Sequence, residues 1–444
     1  MIVLVITCLI MAGWFGNRAH QAGRNVWGCA LWAFVGLGLN GLLMLLVRYV
    51  ARLVVLTLCA WLMREKRELD SGLVVSILHV ASDGLAIGAM LLAGRAILPR
   101  VQTPRAAPIG PIVRQILPFA SLIFVLAELS DLTPETFMTW ANFINVFSRS
   151  SVNGIIALGM TAVIISGGID LSVGSALALA GMVGAWTMLA LAGSDPDCTR
   201  WAVHSVIPAG PGRPPTPTAL AMTIGTLAGI LAGTVCGFVN GSLIAKLKLP
   251  PFIVTLGTMS ALRGIAYVMN DGEPYNVAQF KYLDEGTFLK VRVCILIFAA
   301  VAILAALFLR YVRLGRYTYA IGSNREAAFH AGINVDRCLI WIYTLTGVAI
   351  GIAAMIQTSR TVSAQPTAGI SLELDVIAAV VIGGASLSGG RGTILGTIIG
   401  TLLISFLRNG CTLLGISTNV QLIVIGAIIV AAVSVDQLAR ARAE

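Results

Sequence analysis

Long stretches without a single Asp, Glu, Lys or Arg dominate the chain: residues 25–47, 150–169, 171–194, 218–245, 338–359 and 409–435. An α-helix rises about 1.5 Å per residue, so about 20 such residues cross a hydrocarbon core of ~30 Å. Charges collect between the runs instead of alternating with apolar positions, which is the pattern of membrane spans joined by loops and not of soluble amphipathic elements. Across 115–436 it predicts ten helices, near 115–130, 146–168, 172–193, 218–245, 252–269, 293–312, 338–358, 374–388, 393–408 and 412–435. Three uncharged stretches, 115–127, 249–262 and 376–390, are shorter than a span. Broken or re-entrant helices are expected there, since non-helical backbone is tolerated at membrane depth only against protein or a water-filled path. The fold class is all-α, a polytopic membrane protein.

Ahead of this region, residues 1–98 carry enough apolar sequence for three or four more membrane helices. Residues 99–114 hold Pro99, Pro104, Pro108 and Pro111 with Arg100, Arg105 and Arg114, a basic helix-breaking linker. The expected organisation is therefore an N-terminal membrane extension (1–98), a cytoplasmic linker (99–114), a transmembrane domain (115–436) and a short cytoplasmic tail (437–444).

Composition sharpens the class. Of 444 residues, 30 are Lys or Arg and 20 Asp or Glu, 11% of the chain against about 25% in soluble domains. The net charge of +10 does not point to nucleic acid, because no basic stripe with interleaved aromatics exists. Basic residues flank the apolar runs and so set topology. Arg310, Arg313, Arg316, Arg325 and Arg337, then Lys246 and Lys248, then Arg440 and Arg442 fall on one side in the ten-helix arrangement, which makes that side cytoplasmic; Arg408 is the exception. Lipid is the surrounding solvent.

Catalytic and metal chemistry are missing from the pattern. Eight cysteines stand singly and four histidines lack ligand spacing, so no metal site is expected. There is no Gly-Lys pair and hence no phosphate-cradling P-loop, nor a G-x-S-x-G or H-E-x-x-H motif. The expectation is a non-catalytic subunit that binds no cofactor directly.

Two Gly-rich turns echo one another: Gly167-Gly168-Ile169-Asp170-Leu171-Ser172-Val173-Gly174 and Gly383-Gly384-Ala385-Ser386-Leu387-Ser388-Gly389-Gly390 share G-G-x-x-L-S-x-G. Both face the cytoplasm in the predicted topology, and either an internal repeat or coincidence in Gly-rich turns accounts for them. Between them the loop 315–337 contains Ser323-Asn324-Arg325-Glu326, an S-x-x-E capping box that predicts a short helix from Asn324, with Ala327, Ala328 and Phe329 exposed on it and Gly332 ending it. On apolar helices, Asn153, Asn240, Thr255 and Thr258 either join helices or line a path, and Asp170 caps a helix start or touches solute. Glu373 and Asp375 sit beside the outer end of a helix in the predicted topology, where they either contact a protein outside or cap the helix; capping is expected for Asp375.

Glu326-Ala327-Ala328-x-x-x-Gly332, with Gly322 before it, resembles the EAA loop of ABC-transporter membrane subunits. SGGIDLSVGS (166–175), NGSLIAKLKLPPFIVTLGTM (240–259) and SAQPTAGISLELDVIAAVVIGGASLSGGRGT (363–393) resemble the bacterial ribose/xylose/arabinose/galactose permease family, in matching order from about Pro111 to Asp436. The resemblance implies monosaccharide import across the cytoplasmic membrane, ATP hydrolysed by separate ATPase subunits docked at Glu326, a solute-binding protein outside, and a second permease subunit, as a homodimer. The first 100 or so residues and the Pro-rich segment 195–217 have no counterpart in the family pattern. Import of another small solute (inositol, a nucleoside, an amino acid) by the same architecture is the nearest alternative. An ion-coupled secondary transporter is a further one, although it needs intramembrane relays that Asp170 and Arg263 barely supply.

Overall fold

The computed structural model describes residues 133–191, 219–288 and 291–423, with further positions between 119 and 130 and at 425–426. The expected N-terminal extension, the linker, the Pro-rich segment and the C-terminal tail lie outside the described residues. In chain order the elements are α1 (Pro134–Phe137), α2 (Trp140–Ile165), α3 (Val173–Leu191), α4 (Ala219–Lys246), α5 (Pro251–Val268), β1 (Tyr275–Asn276), α6 (Tyr282–Glu285), β2 (Thr287–Phe288), β3 (Val291–Arg292), α7 (Val293–Tyr311), α8 (Arg313–Ser323), α9 (Arg325–His330), α10 (Val335–Thr361), β4 (Ser363–Ala364), α11 (Leu372–Ile382) and α12 (Ile394–Leu413). Seven of these helices, α2, α3, α4, α5, α7, α10 and α12, are long and apolar enough to cross a membrane.

The main unit includes 138–409. Its centre is α10, packed against α4, α2 and α3, with Ile155, Ile156, Met160, Met182, Ile342, Tyr343 and Met355 fully enclosed. The α4–α10 contact has a simple sequence cause. Gly225, Gly229, Gly233, Gly237 and Gly241 recur every fourth residue and therefore line one face of α4. A Cβ on Gly233 would stand 2.7 Å from the Gly347 carbonyl oxygen, and one on Gly241 would stand 2.9 Å from the Ile340 Cα. The helices thus meet backbone to backbone, the close approach small residues permit in membranes.

Of the short stretches predicted to hold broken helices, 376–390 is broken, with α11 ending at Ile382, whereas 249–262 runs into the continuous 18-residue α5; the chain is also non-helical just before α11. Helix α10 ends at Thr361 with Val362 left-handed, β4 pairs antiparallel with β1 (Tyr275 opposite Ala364), and only then does α11 begin. At 11 residues α11 is about 16 Å long, half a span. The non-helical 365–371 is packed against the start of α3, where a Cβ on Gly174 would overlap the Gly369 carbonyl. Arg263 of α5 donates to the carbonyls of Pro366 and Ala368, both at 2.6 Å, supplying donors that an unwound segment lacks.

Outside the spans, residues 270–288 and 291–292 form a small cap. Asp284 of α6 accepts from Arg360 Nε and Nη2 (3.0 and 2.8 Å) and from Ser148 Oγ (3.1 Å), tying the cap to α10 and α2. The smaller unit includes 126–137 and 410–418, where Leu129 closes over Gly410.

Candidate functional site

The segment 315–337, expected as a loop around one short helix, is two helices. Helix α8 buries Gly315, Thr318 and Ile321 on one face while Arg313 and Arg316 stay exposed. This amphipathic period was readable but masked by the surrounding basic residues. The cap of α9 is also one residue later than expected. Asn324, extended at φ −159°, accepts from the Ala327 amide at 2.9 Å, whereas Ser323 still belongs to α8. The physical reason is tertiary: α8 is held in helical form up to Ser323 by what Gly322 packs against. Gly332 ends α9 as expected, left-handed at φ 82°, with its amide donating to Phe329 and the Ile333 amide to Ala328. Glu326, Ala327 and Phe329 are exposed, Phe329 at 67%, but Ala328 is buried against α10, contrary to the exposed position expected for it.

Three glycine segments meet beneath this element. A Cβ on Gly322 would overlap the Ile165 carbonyl and stand 2.6 Å from the Gly390 amide nitrogen, which itself donates to Ile165 at 2.8 Å. A Cβ on Gly389 would stand 3.1 Å from the Cα of Gly167, and Tyr319 donates its hydroxyl to the Gly392 carbonyl at 2.9 Å. Burial pushes the Tyr319 phenol above its ordinary value, which keeps it a neutral donor.

The echo between the two turns has a geometric counterpart in a shifted register. Gly167 follows α2 at φ 83° with amides 167 and 168 donating to Ile164 and Val163; Gly384 follows α11 at φ 91° with amides 384 and 385 donating to Val381 and Val380. The same helix-ending motif therefore aligns Gly167 with Gly384, not with Gly383. Gly383 instead meets Gly396 of α12, whose carbonyl a Cβ would overlap.

Above the junction lies a polar cluster. Asp170 Oδ1 accepts from the Ser172 amide (2.9 Å) and hydroxyl (2.6 Å), a local turn leading into α3. Asn240 Nδ2 donates to Ser172 Oγ at 2.8 Å, joining α4 to that turn, while Asn240 Oδ1 is buried without a partner among the described residues. Thr255 donates to Pro251 within α5 and to Ile169 across it (2.9 and 3.3 Å); Thr258 donates to Thr255 of its own helix. Asn153 is half-buried on α2 and makes no hydrogen bond among the described residues. Asp375 does not cap α11. It pairs with Arg408 of α12 at 2.7 Å, which accounts for the basic residue that broke the charge pattern. Glu373 accepts from its own backbone amide in the first turn, while the position before α11, Ser371, is left-handed and makes no side-chain cap.

Tyr343, Arg263, Arg360 and Asp284 were not singled out for these contacts by the sequence. Each acts through a partner 70 or more residues away or through a buried neighbour, which no local spacing reveals. Tyr343 is 0% exposed, a Cβ on Gly168 would lie 2.5 Å from its hydroxyl, and that hydroxyl has no hydrogen-bond partner among the described residues. It lines a cavity of about 270 Å³ between the Gly167–Gly168 turn, Pro251 and Gly322–Arg325.

This arrangement has helices, glycine junctions and a projecting capped turn, and among the described residues no cluster that would hold a metal. Residues 142–433 match the family described as branched-chain amino acid transport system / permease component. The chain belongs to this permease family. It is similar to the ribose import permease protein RbsC of Haemophilus influenzae, 40% identical over 324 residues (72% of this chain, 91% of that protein), and to RbsC of Bacillus subtilis, 40% over 330 residues (73% and 94%). The D-allose transport system permease protein AlsC of Escherichia coli is 36% identical over 322 residues (72% and 90%). No solved structure matches it. The permease is thus a multi-pass membrane subunit of an ABC importer, with transport and not catalysis as its task.

Proposed function

We propose that this permease forms the solute path of an ATP-driven monosaccharide importer in the bacterial cytoplasmic membrane. Two copies assemble, ATPase subunits that hydrolyse ATP dock on α9, and a binding protein delivers sugar from outside. The observation that carries the reading is the setting of α9: a capped helix with Glu326 and Phe329 exposed, following directly on α8, whose Gly322 packs on Ile165 and Gly390, and leading through Gly332 into the central α10. A rigid-body push on α9 reaches the bundle through backbone contacts, and so can bias inward- and outward-open states. Similarity to permeases named for ribose and allose favours a neutral sugar, as does the scarcity of charge in the spans. A second copy suits α5, whose face of Ile253, Gly257, Ser260, Ala261 and Gly264 is largely exposed, with nothing within 4 Å of a Cβ at Gly257 or Gly264 among the described residues.

Glu326→Lys and Gly332→Pro test it. The first reverses the exposed charge; the second cannot adopt φ 82° and loses an amide donor. Both are expected to abolish uptake of radiolabelled D-ribose and copurification of the ATPase subunit while leaving membrane insertion intact. Normal uptake in both variants would refute the assignment.

A further inference from the structure

Helix α7 carries an exposed apolar stripe. Leu296, Ala300, Ile303 and Leu307 recur every third or fourth residue and so share one side, while Cys294, Phe298 and Ala302 on the other side are buried, Phe298 against Gly154 of α2. At 19 residues α7 is about 28 Å long, so its last turn reaches headgroup depth when the stripe lies in hydrocarbon. That turn carries the stripe on into Arg310 and Tyr311, with the Arg310 guanidinium 5.4 Å from the centre of the Tyr311 ring. Val312 is extended and turns the chain into α8, whose buried Gly315 packs on the backbone of Phe308 and Leu309. The start of α8 is thereby folded against the end of α7, with Arg313 and Arg316, one turn apart, both exposed beside Tyr317. None of Arg310, Arg313 and Arg316 pairs with a carboxylate among the described residues.

A partner for this corner must present negative charge and apolar surface in one place. Free phosphate meets only the first need, and an acidic soluble protein would leave the stripe uncovered. A phospholipid with a net negative headgroup meets both. Its acyl chains cover the stripe, and the planar guanidinium forks match the non-bridging oxygens of its phosphodiester. A zwitterionic lipid brings the same phosphate together with a cation of its own, which competes with the arginines.

We propose that the α7–α8 corner is a binding site for an anionic phospholipid of the cytoplasmic leaflet, its headgroup held by Arg310, Arg313 and Arg316 and its chains laid along Ile303 and Leu307. Tyr311 and Tyr317 flank the headgroup, as amphipathic rings do at a membrane interface. The inference rests on α7 crossing the membrane and not on which solute is carried.

The full chain is reconstituted in vesicles of equal parts phosphatidylcholine and phosphatidylglycerol and extracted with mild detergent, and the lipid it retains is identified by native mass spectrometry. The natural protein is expected to retain phosphatidylglycerol over phosphatidylcholine, a preference that high salt erases. Arg310→Gln, Arg313→Gln and Arg316→Gln together should lower the preference at least about fivefold. Tm in pure phosphatidylcholine should stay unchanged, since all three side chains are exposed and none loses an ion pair among the described residues. Lysine at the same three positions keeps the charge and should retain most of the preference. Removing as many charges elsewhere on the same side, by Lys246→Gln, Lys248→Gln and Arg337→Gln, should leave it unaltered. Equal loss in the two glutamine triples would reduce the effect to net charge and overturn the site, as would a natural protein with no preference. Unchanged phosphatidylglycerol retention in the Arg310, Arg313 and Arg316 variant, with copurification of the ATPase subunit lost, would overturn it in favour of a protein-docking surface. Should that triple variant fail to fold, Arg316→Gln alone is expected to lower the preference about twofold, and no change would count against the site. Sugar uptake enters none of these measurements, so the proposed function stands or falls separately.

Discussion

Arg360, at the end of α10, holds the carboxylate of Asp284 through two nitrogens, with Nη2 at 2.8 Å and Nε at 3.0 Å from Oδ1. Asp284 is 6% exposed, so its charge depends on that partner. Arg360→Ala is expected to cost about 3–5 kcal/mol by leaving a buried charge uncompensated. Replacing both residues, Arg360→Met with Asp284→Leu, should recover most of the loss. Thermal unfolding of the purified protein measures both, and a single variant as stable as the double would contradict the account.

Gly322→Ala introduces a Cβ where the Ile165 carbonyl and the Gly390 amide already sit. Neither backbone group can swing aside as a side chain would. Uptake is expected to fall at least about tenfold while helical content measured by circular dichroism stays within a few per cent, because the seat of α8 and not the bundle is disturbed. The neighbouring Gly332→Ala, in open space but at φ 82°, should be milder, costing about 1 kcal/mol locally.

Asn324→Ala removes the side-chain acceptor for the Ala327 amide, worth about 1 kcal/mol at a helix start. The expected result is several-fold weaker copurification of the ATPase subunit, restored by Asn324→Asp. Ser323→Ala should leave copurification unchanged. The opposite ranking would return the cap to Ser323.

Gly237→Val places a branched side chain against the Tyr343 carbonyl and Gly347 in the α4–α10 seam. Overpacking of this kind costs about 1–3 kcal/mol, and here the obstacle is backbone. A lowered Tm with reduced yield in the membrane fraction is expected. The same substitution at Gly257 of α5, where no described atom lies near, should leave Tm of the single chain unchanged.

The apolar runs located the long helices to within a few residues because hydropathy over 20 residues is a property of the chain itself, as at Val173–Leu191 against 172–193. The turns at Gly167 and Gly332 were equally legible, since a left-handed position selects glycine locally. What escaped was decided by distant partners. Asp375 looked like a cap from its place in α11, yet Arg408, 33 residues on, takes its carboxylate. Ser323 fitted a capping box, but the packing of Gly322 on Ile165 and Gly390 keeps it inside α8. The every-fourth glycines of α4 were written plainly in the sequence and needed only a helical projection. Which helix they would meet depended on Gly347 and Gly351, more than a hundred residues away.

Those glycines have a mechanical corollary. Side chains between two helices act as compliant spacers that change rotamer under load, whereas at Gly233, Gly237 and Gly241 α4 meets the backbone of α10 directly. They behave as one stiff strut. A displacement delivered at Val335, the end of α10 that adjoins α9, is therefore expected to be carried along the seam toward Arg360 at the other end of the helix.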